Sequence, residues 1–134
     1  MKTVVHGPII IEKDKLLVTL DDKDPFYKIP GGKKEGNETG IQTCIRELSE
    51  ETGLEMEIIE ELPLIRLNYD PQTGNPKDID LHHYKARLTK KQKKFTSYNY
   101  NGHEVRWLSI KEIKEGRYEV APNIKMLIER GDIK

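Results

Sequence analysis

The first part of the chain alternates apolar and polar residues, which is the pattern of strands that bury one face. This alternation predicts strands over residues 4–11 and 15–20, joined by a polar turn at residues 12–14. A shorter apolar stretch at residues 26–29 predicts a further strand, which leads directly into one proline and two glycines. The chain is therefore expected to open with a hairpin, followed by a short strand and a tight loop.

A helical period replaces this alternation from about Glu38 onwards. Apolar residues recur every three or four positions, which predicts an amphipathic helix with one face against a core. The predicted buried face consists of Ile41, Cys44, Ile45 and Leu48. Thr52 continues this face, and Gly53 is expected to end the helix because glycine tolerates the left-handed conformation found there.

The second half of the chain returns to strand patterns. Residues 57–69 predict a long strand broken near Pro63, and residues 70–76 have the proline, glycine and asparagine content of a loop. Residues 80–88 alternate again and predict another strand. Residues 90–100 are rich in lysine and aromatic side chains and are predicted to form a loop.

The C-terminal part predicts one strand and two helices. The strand covers residues 104–108, a short helix capped by Ser109 covers residues 109–115, and a terminal helix covers Pro122–Arg130. This order of elements indicates an α/β protein with one mixed sheet and helices on both sides. Because no repeat, low-complexity run or linker divides the chain, residues 1–134 are expected to form a single domain.

Composition narrows the class of protein. A length of 134 residues suffices for one domain with a substantial core. Basic and acidic residues number 23 each, so no overall field favours nucleic acid or a membrane surface. The single cysteine, Cys44, has no partner for an internal disulfide. No signal-peptide pattern or membrane-length apolar run is visible, so we expect a cytoplasmic protein.

Three carboxylates form what we call the acidic ridge of the predicted helix. Glu47, Glu50 and Glu51 are spaced i, i+3 and i+4, which places them within an arc of roughly 100°. Like charges at this spacing repel, and by spacing only Arg46, four positions before Glu50, offers relief. A divalent cation such as magnesium would explain the ridge, because hard cations bind carboxylate oxygens. A solvated acidic face is the alternative for these residues taken alone.

The residues around the ridge decide between these alternatives. They follow the pattern G-x5-E-x7-R-E-U-x-E-E-x-G-U, where U is a bulky aliphatic residue. This pattern resembles the Nudix box, and a chance match has odds on the order of 10⁻⁸. Every defined position is present, namely Gly32, Glu38, Arg46, Glu47, Leu48, Glu50, Glu51, Gly53 and Leu54. The surrounding strands are also similar to those of a Nudix domain, so the resemblance covers the whole chain.

The resemblance implies a fold and an activity. The fold is an α/β/α sandwich with a mixed sheet, in which the box helix carries the metal site. Nudix proteins hydrolyse a pyrophosphate bond in a nucleoside diphosphate linked to another group. The expected substrate is therefore a small nucleotide, with nucleoside triphosphates, ADP-ribose-like compounds and dinucleoside polyphosphates all left open.

The resemblance also implies roles for residues of the box. Magnesium is the expected metal, with manganese as a substitute, and its expected ligands are Glu47, Glu50, Glu51 and the carbonyl of Gly31. Glu47 is the expected general base. Arg46 is expected to orient the carboxylates at the catalytic site and to pair with Glu38, which would brace the helix against the loop.

Further site residues are expected outside the box. Glu104 is a candidate metal ligand, with an ordinary exposed strand charge as its alternative, and Trp107 is expected in the core. Tyr69 lies at a position where relatives acting on diadenosine polyphosphates often have tyrosine, whose ring would stack on adenine. The predicted substrate contacts are Tyr27, Gly32, Arg66 and Tyr69.

Two other functions remain as alternatives. One is a non-catalytic Nudix module that senses a nucleotide, and the other is an RNA-cap or RNA-processing protein that uses residues 90–100. The complete set of box glutamates favours an enzyme, while zero net charge counts against nucleic-acid binding without excluding it. The sequence does not distinguish a monomer from a homodimer.

Overall fold

The computed structural model describes residues 2–90 and 94–134. Within these ranges the chain forms seven strands and three α-helices. The strands are β1 (Lys2–Glu12), β2 (Lys15–Leu20), β3 (Met56–Glu61), β4 (Ile65–Tyr69), β5 (Pro76–Leu88), β6 (Ser97–Tyr100) and β7 (His103–Ser109). The helices are α1 (Gly40–Thr52), α2 (Ile110–Lys114) and α3 (Pro122–Arg130).

The strands form one mixed sheet, as predicted. Their order is β3-β5-β1-β2-β7-β6, and β4 also pairs with β5. Strands β1 and β5 run parallel, and the other pairs run antiparallel. Strand β1 is central because it pairs with β5 along most of its length and with β2 near its end.

The two faces of the sheet bury separate apolar clusters, because side chains alternate along each strand. In β2, Leu17 packs in the cluster that contains Cys44 and Leu48 of α1. Its neighbours Leu16 and Val18 belong to the cluster that contains residues of α2 and α3. Helices therefore cover both faces, which is the α/β/α sandwich implied by the sequence. No helix in the described part of the chain is long and apolar enough to cross a membrane.

Helix α1 begins and ends where its local sequence allows. The hydroxyl of Thr39 accepts a hydrogen bond from the Gln42 backbone N–H at 3.1 Å, and the Gln42 side chain accepts one from Thr39 N–H at 2.9 Å. This reciprocal capping box satisfies two amides that the helix leaves unpaired. Gly53 ends the helix with φ of 73°. The predicted helix is thus confirmed, and it begins two residues after Glu38.

The buried face of α1 differs from the prediction at two positions. Ile41 and Ile45 are 43% and 46% exposed, although Cys44 and Leu48 are buried as expected. Thr43 is fully buried in their place. A polar residue can take this inward position because its hydroxyl donates a hydrogen bond to the carbonyl of Thr39.

Two predicted strands change in extent. The long strand predicted at residues 57–69 is divided into β3 and β4 on either side of Pro63, and both strands pair with β5. The strand predicted at residues 26–29 is reduced to isolated bridges of Tyr27 with Val120 and of Lys28 with Thr19.

The predicted loop at residues 90–100 is wrong at its end, because Ser97–Tyr100 forms β6 and pairs with β7. Residues 91–93 of this stretch lie outside the described residues. The ring of Phe95 lies 5.8 Å from that of Trp107 between centroids. Trp107 is partly buried against the cluster under α1, in agreement with its predicted core position.

The capping box gives a direct test of where α1 begins. Replacing Thr39 with alanine leaves the Gln42 amide without its acceptor and should lower the free energy of unfolding by about 1 kcal/mol. Denaturant unfolding of the two proteins measures this difference. Thr96→Ala removes an exposed threonine outside the helices and should change stability by less than about 0.5 kcal/mol. Equal losses in both variants would contradict the cap.

Candidate active site

Residues 29–32 form a glycine loop that lies against the central strand. The His6 amide donates to the Gly32 carbonyl at 2.9 Å, and the Gly32 amide donates back to the His6 carbonyl at 3.1 Å. A Cβ on Gly31 would lie 2.5 Å from the carbonyl oxygen of His6. Only glycine permits this approach. Gly31 therefore lets the loop lie against β1, where the hydrogen bonds between Gly32 and His6 hold it.

Glu51 reaches the glycine loop from the last turn of α1. Its Oε2 accepts a hydrogen bond from the Gly31 amide at 3.0 Å, and its side chain is only 12% exposed. Burial, and then the neighbouring carboxyl group of Glu47, raise the pKa of Glu51 well above its ordinary range. A cation beside this pair would favour the ionised form of Glu51.

Glu47 occupies space that is open only because Gly32 lacks a side chain. A Cβ on Gly32 would lie 2.5 Å from Oε1 of Glu47. A side chain at this position would therefore displace the carboxylate of Glu47 from its present place. The predicted contact of Gly32 with substrate stays a prediction.

One guanidinium group links the acidic ridge to the loop. Nη1 of Arg46 donates to Glu47 at 2.9 Å and to Glu50 at 3.1 Å. Nη2 donates to the carbonyl of Lys33 at 2.9 Å, and Nε donates to Glu38 at 2.7 Å. The helical spacings of three and four residues offered Glu47 no partner, but Arg46 contacts the carboxylate of this adjacent residue.

The Glu38–Arg46 pair implied by the resemblance is present and bidentate. In addition to the bond from Nε, Nη2 of Arg46 donates to the second oxygen of Glu38 at 3.1 Å. Glu38 also accepts a hydrogen bond from the Glu35 amide at 2.8 Å. The bond from Arg46, followed by the backbone bond, lowers the pKa of Glu38 to about 2. The pair therefore stays ionised at neutral pH and holds the start of α1 against the loop.

A cleft of about 300 Å³ opens beside Gly31 and Glu51. Its apolar walls come from β1, β4, β5 and the loop between β2 and α1. They include Val5, Phe26, Ile29, Leu67, Ile79 and Leu81. Its polar lining includes Asp24, Lys28, Asp70, Gln72, Lys77, His83 and Asn123. An apolar cleft with a few polar groups is the usual form of a small-molecule site.

Lys28 places a paired positive charge in the wall of this cleft. Its ammonium group donates to Asp24 at 2.6 Å and to Asp21 at 3.2 Å. Burial alone would lower the pKa of Lys28, but these two bonds raise it above its ordinary value. Analysis of the sequence missed this residue, and its position two residues before Pro30 was the available signal.

His83 and Asn123 form a polar pair in the cleft wall. Nε2 of His83 lies 3.0 Å from Nδ2 of Asn123. Burial, and then repulsion from Arg130, lower the pKa of His83 to about 4, so its ring is neutral near pH 7. A neutral ring that accepts from the amide through Nε2 carries its proton on Nδ1.

Four predicted site residues lie away from the Glu51 cleft. Arg66 and Tyr69 line a second depression together with Lys2. The hydroxyl of Tyr27 donates to the carboxylate of Glu104 at 2.8 Å. The roles of these residues toward substrate or metal stay predictions.

His103 and Glu104 project from opposite faces of β7. Val105 packs with α1, and alternation places His103 on this face and Glu104 on the other. Nε2 of His103 is 3.9 Å from Oε1 of Glu51 and 3.7 Å from Oδ2 of Asp21. The sequence prediction chose Glu104 on this strand and missed His103, which alternation with Val105 would have indicated.

The acidic ridge supplies oxygen ligands of the kind that a hard divalent cation prefers. Glu50 is 55% exposed and bound to Arg46. In the described ranges, no three acidic, histidine or cysteine side chains converge on one point. Among the ridge carboxyl groups, those of Glu47 and Glu51 lie closest to the glycine loop. Their mutual repulsion and the burial of Glu51 fit a cation between them.

Comparison with known proteins identifies the family. A family model of the NUDIX domain matches residues 2–129. A NUDIX hydrolase from Nitrosomonas europaea has a TM-score of 0.76 at 20% identity, covering 96% of this chain and 87% of that chain. A NUDIX-family hydrolase from Clostridium perfringens has a TM-score of 0.67 at 22% identity, covering 92% and 91%.

A mutator MutT protein from Bacillus halodurans has a TM-score of 0.66 at 20% identity, covering 94% of this chain and 79% of that chain. At these identities the likeness to solved structures concerns the fold alone. No curated protein sequence matches the chain significantly.

The low pKa of Glu38 predicts an acid-sensitive contribution to stability. The folded-state pKa of about 2 lies below the ordinary value of 4.5. Ionised Glu38 therefore stabilises the fold above about pH 4.5, and this contribution is lost as the pH falls towards about 2. Glu38→Gln should lower the Tm near pH 6, and the difference from wild type should shrink steadily below about pH 4.5.

Thermal unfolding at a series of pH values measures this difference. Glu35→Gln is the matched control, because Glu35 is 70% exposed and 3.5 Å from Arg46. Its effect should be smaller and less dependent on pH, since exposed ion pairs contribute little. An effect of Glu38→Gln that stays constant from neutral to acid pH would contradict the role of its charge.

Proposed function

The chain belongs to the Nudix hydrolase family, and we propose that it is a metal-dependent enzyme that cleaves the pyrophosphate bond of a nucleoside diphosphate derivative. The observation that carries this proposal is the position of the Glu47–Glu51 pair, beside the glycine loop and at the cleft. A nucleotide whose nucleoside lies in the cleft would bring its phosphates to these carboxyl groups.

The proposed metal is magnesium, with manganese as a substitute, since enzymes of this family generally use divalent metals. Glu47 and Glu51 would hold the ion, with Glu50 and the carbonyl of Gly31 completing the ligand set. Glu104 stays a candidate for this set, since the hydrogen bond from Tyr27 occupies one oxygen of its carboxylate. When bound, a divalent cation neutralises charge on the phosphate oxygens and lowers the barrier to nucleophilic attack.

Residues of α1 and the glycine loop have separate roles in the proposed reaction. Glu47 is the proposed general base, which accepts a proton from the attacking water. Arg46 orients Glu47 and Glu50 through the bonds from Nη1 and acts on these carboxylates, not on substrate. The Gly31 amide holds one oxygen of Glu51 and leaves its other oxygen available to a ligand.

The cleft supports a substrate with one enclosed nucleoside. Its volume of about 300 Å³ is at the lower end of the range of about 300–1,000 Å³ for small-molecule sites. Phe26 offers an aromatic ring to a base, and Lys28 and Asn123 offer hydrogen-bond donors to a base or sugar. The group beyond the pyrophosphate would lie outside, so triphosphates, ADP-ribose-like compounds and dinucleoside polyphosphates all agree with this cleft.

Metal dependence is the first test of this proposal. The purified protein should hydrolyse at least one nucleotide pyrophosphate when magnesium or manganese is present, and excess chelator should abolish the reaction. A panel of triphosphates, ADP-ribose and dinucleoside polyphosphates, followed by chromatography of the products, measures this. Full activity in chelator, or no hydrolysis across the panel with metal, would contradict the proposal.

The role of Glu51 can be separated from a structural role. Glu51→Gln should cut turnover at least about a hundredfold, since a direct ligand matters more than the supporting residues of metal sites, whose loss costs about 10- to 100-fold. The Tm without metal should stay equal or rise, because glutamine is neutral beside Glu47, as burial already favours for Glu51, and still accepts from the Gly31 amide.

Glu60→Gln, at an exposed position of β3, is the matched control for this substitution. It should leave both turnover and Tm unchanged, since exposed surface substitutions change stability by less than about 0.5 kcal/mol. A large fall in the metal-free Tm of Glu51→Gln would instead show that Glu51 is mainly structural.

A further inference from the structure

The hairpin formed by β6 and β7 packs against the end of α1. Antiparallel pairing from Ser97↔Arg106 to Tyr100↔His103 leaves Asn101 as the first residue of a two-residue turn. Asn101 and the glycine after it have φ of 46° and 79°. Positive φ at both positions is what a tight type I′ turn requires. This turn holds the side chain of Asn101 at the last turn of the helix.

The hairpin supplies hydrogen-bond donors to the free carbonyl groups of α1. The last four carbonyl groups of an α-helix have no partner within the helix. In α1, Nδ2 of Asn101 donates to the carbonyl of Glu50 at 2.8 Å. The hydroxyl of Tyr98 donates to the carbonyl of Thr52 at 2.6 Å. Two side chains of one hairpin therefore bind carbonyl groups on both sides of Glu51.

Tyr100 and His103 extend this contact. A Cβ on Gly53 would lie 2.8 Å from the ring of Tyr100, so the ring rests on the residue that ends the helix. Nδ1 of His103 lies 3.1 Å from the carbonyl oxygen of Asn101, and its Nε2 lies 3.9 Å from the Glu51 carboxylate. The hairpin thus contacts four consecutive residues at the end of α1, from Glu50 to Gly53.

The chemistry of these donors matters because the last turn of α1 contains two ridge carboxylates. This turn has no basic residue, although lysine and arginine commonly stabilise the negative end of a helix dipole. Arg46, one turn earlier, already pairs with Glu50, and a further cationic side chain in the last turn would pair with Glu51 and compete with a metal ion. The neutral donors of Tyr98 and Asn101 bind the carbonyl groups without that competition.

We propose that the β6–β7 hairpin positions the metal-binding carboxylates by fixing the C-terminal turn of α1, with Tyr98 and Asn101 as positioning residues. Helix ends fray, and fraying of this turn would move Glu50 and Glu51 relative to the glycine loop. The inference rests on the proposed function, because it takes these carboxylates to be metal ligands.

Two conservative variants each remove one donor. Tyr98→Phe deletes the hydroxyl and keeps the ring that packs edge-on against Phe95. Asn101→Gly deletes the amide and keeps a residue that adopts positive φ without strain. Tyr100→Phe is the matched control, since it deletes the same group two positions away, where the described residues include no hydrogen bond from this hydroxyl to α1.

Direct binding of Mn²⁺ to each metal-free protein, followed by electron paramagnetic resonance, is the measurement. Tyr98→Phe and Asn101→Gly should each raise the Mn²⁺ concentration at half-saturation by about tenfold, within the range for supporting residues of metal sites. The Mn²⁺ dependence of hydrolysis should shift in parallel, and saturating Mn²⁺ should restore most of the turnover. Tyr100→Phe should match the wild type in both titrations.

The outcomes separate this inference from the proposed function. Variants with a lower Tm but Mn²⁺ curves superimposable on those of the wild type would show a merely structural hairpin and overturn the positioning role. Equal weakening by Tyr100→Phe would overturn it as well. A wild-type protein that binds Mn²⁺ and hydrolyses no nucleotide would refute the proposed enzymatic function. The binding curves would still decide the role of the hairpin in that case. Failure of the wild type to bind Mn²⁺ would overturn both.

Discussion

The hydrogen bonds of the Arg46 guanidinium are the constraint on which the rest of the site depends. Carboxylates on one helix turn repel each other, and a guanidinium group has five donors in one plane. Arg46 uses this geometry to bind Glu47 and Glu50 on the helix together with Glu38 and a carbonyl on the loop. In the described structure, Glu51 is the ridge carboxylate that Arg46 does not contact. It is therefore the group left to the glycine loop and the cleft.

Because Arg46 binds Glu47 and Glu50 but not Glu51, the geometry of the site also depends on backbone contacts of the glycine loop. Gly31 packs directly against the carbonyl of His6 and donates to Glu51, and the carboxylate of Glu47 lies where a Cβ on Gly32 would be. The loop is bonded to β1, and the other end of the ridge is bonded to the β6–β7 hairpin. One sheet thus fixes both sides of the ridge, which keeps the carboxyl groups of Glu47 and Glu51 close together in the folded state.

Turn and capping residues made many of the helices and strands predictable from the sequence. The face of an element on which a given side chain lies was harder to predict. The ends of α1 follow from Thr39 and Gly53, whose effects act within one turn. Ile45 was misassigned because apolar spacing does not reveal that a buried threonine can satisfy its own hydroxyl. The ridge and its bracing arginine were visible in the box pattern. His103 was missed in favour of Glu104, because a shift of one residue along a strand changes the face on which a side chain lies.

The pairing of the cationic groups around the cleft gives a physical reason for the metal dependence that we propose. A pyrophosphate carries dense negative charge, and a site without free positive charge repels it. Arg46 is bound to carboxylates of its own helix, and Lys28 lies between Asp21 and Asp24. These bonds fix the side chains of Arg46 and Lys28, but they leave little net positive charge on either group for a ligand. Lys77, 4.0 Å from Asp70, adds one exposed ammonium group to the cleft. In the proposed reaction, a divalent cation at the Glu47–Glu51 pair would supply the remaining positive charge that a pyrophosphate needs.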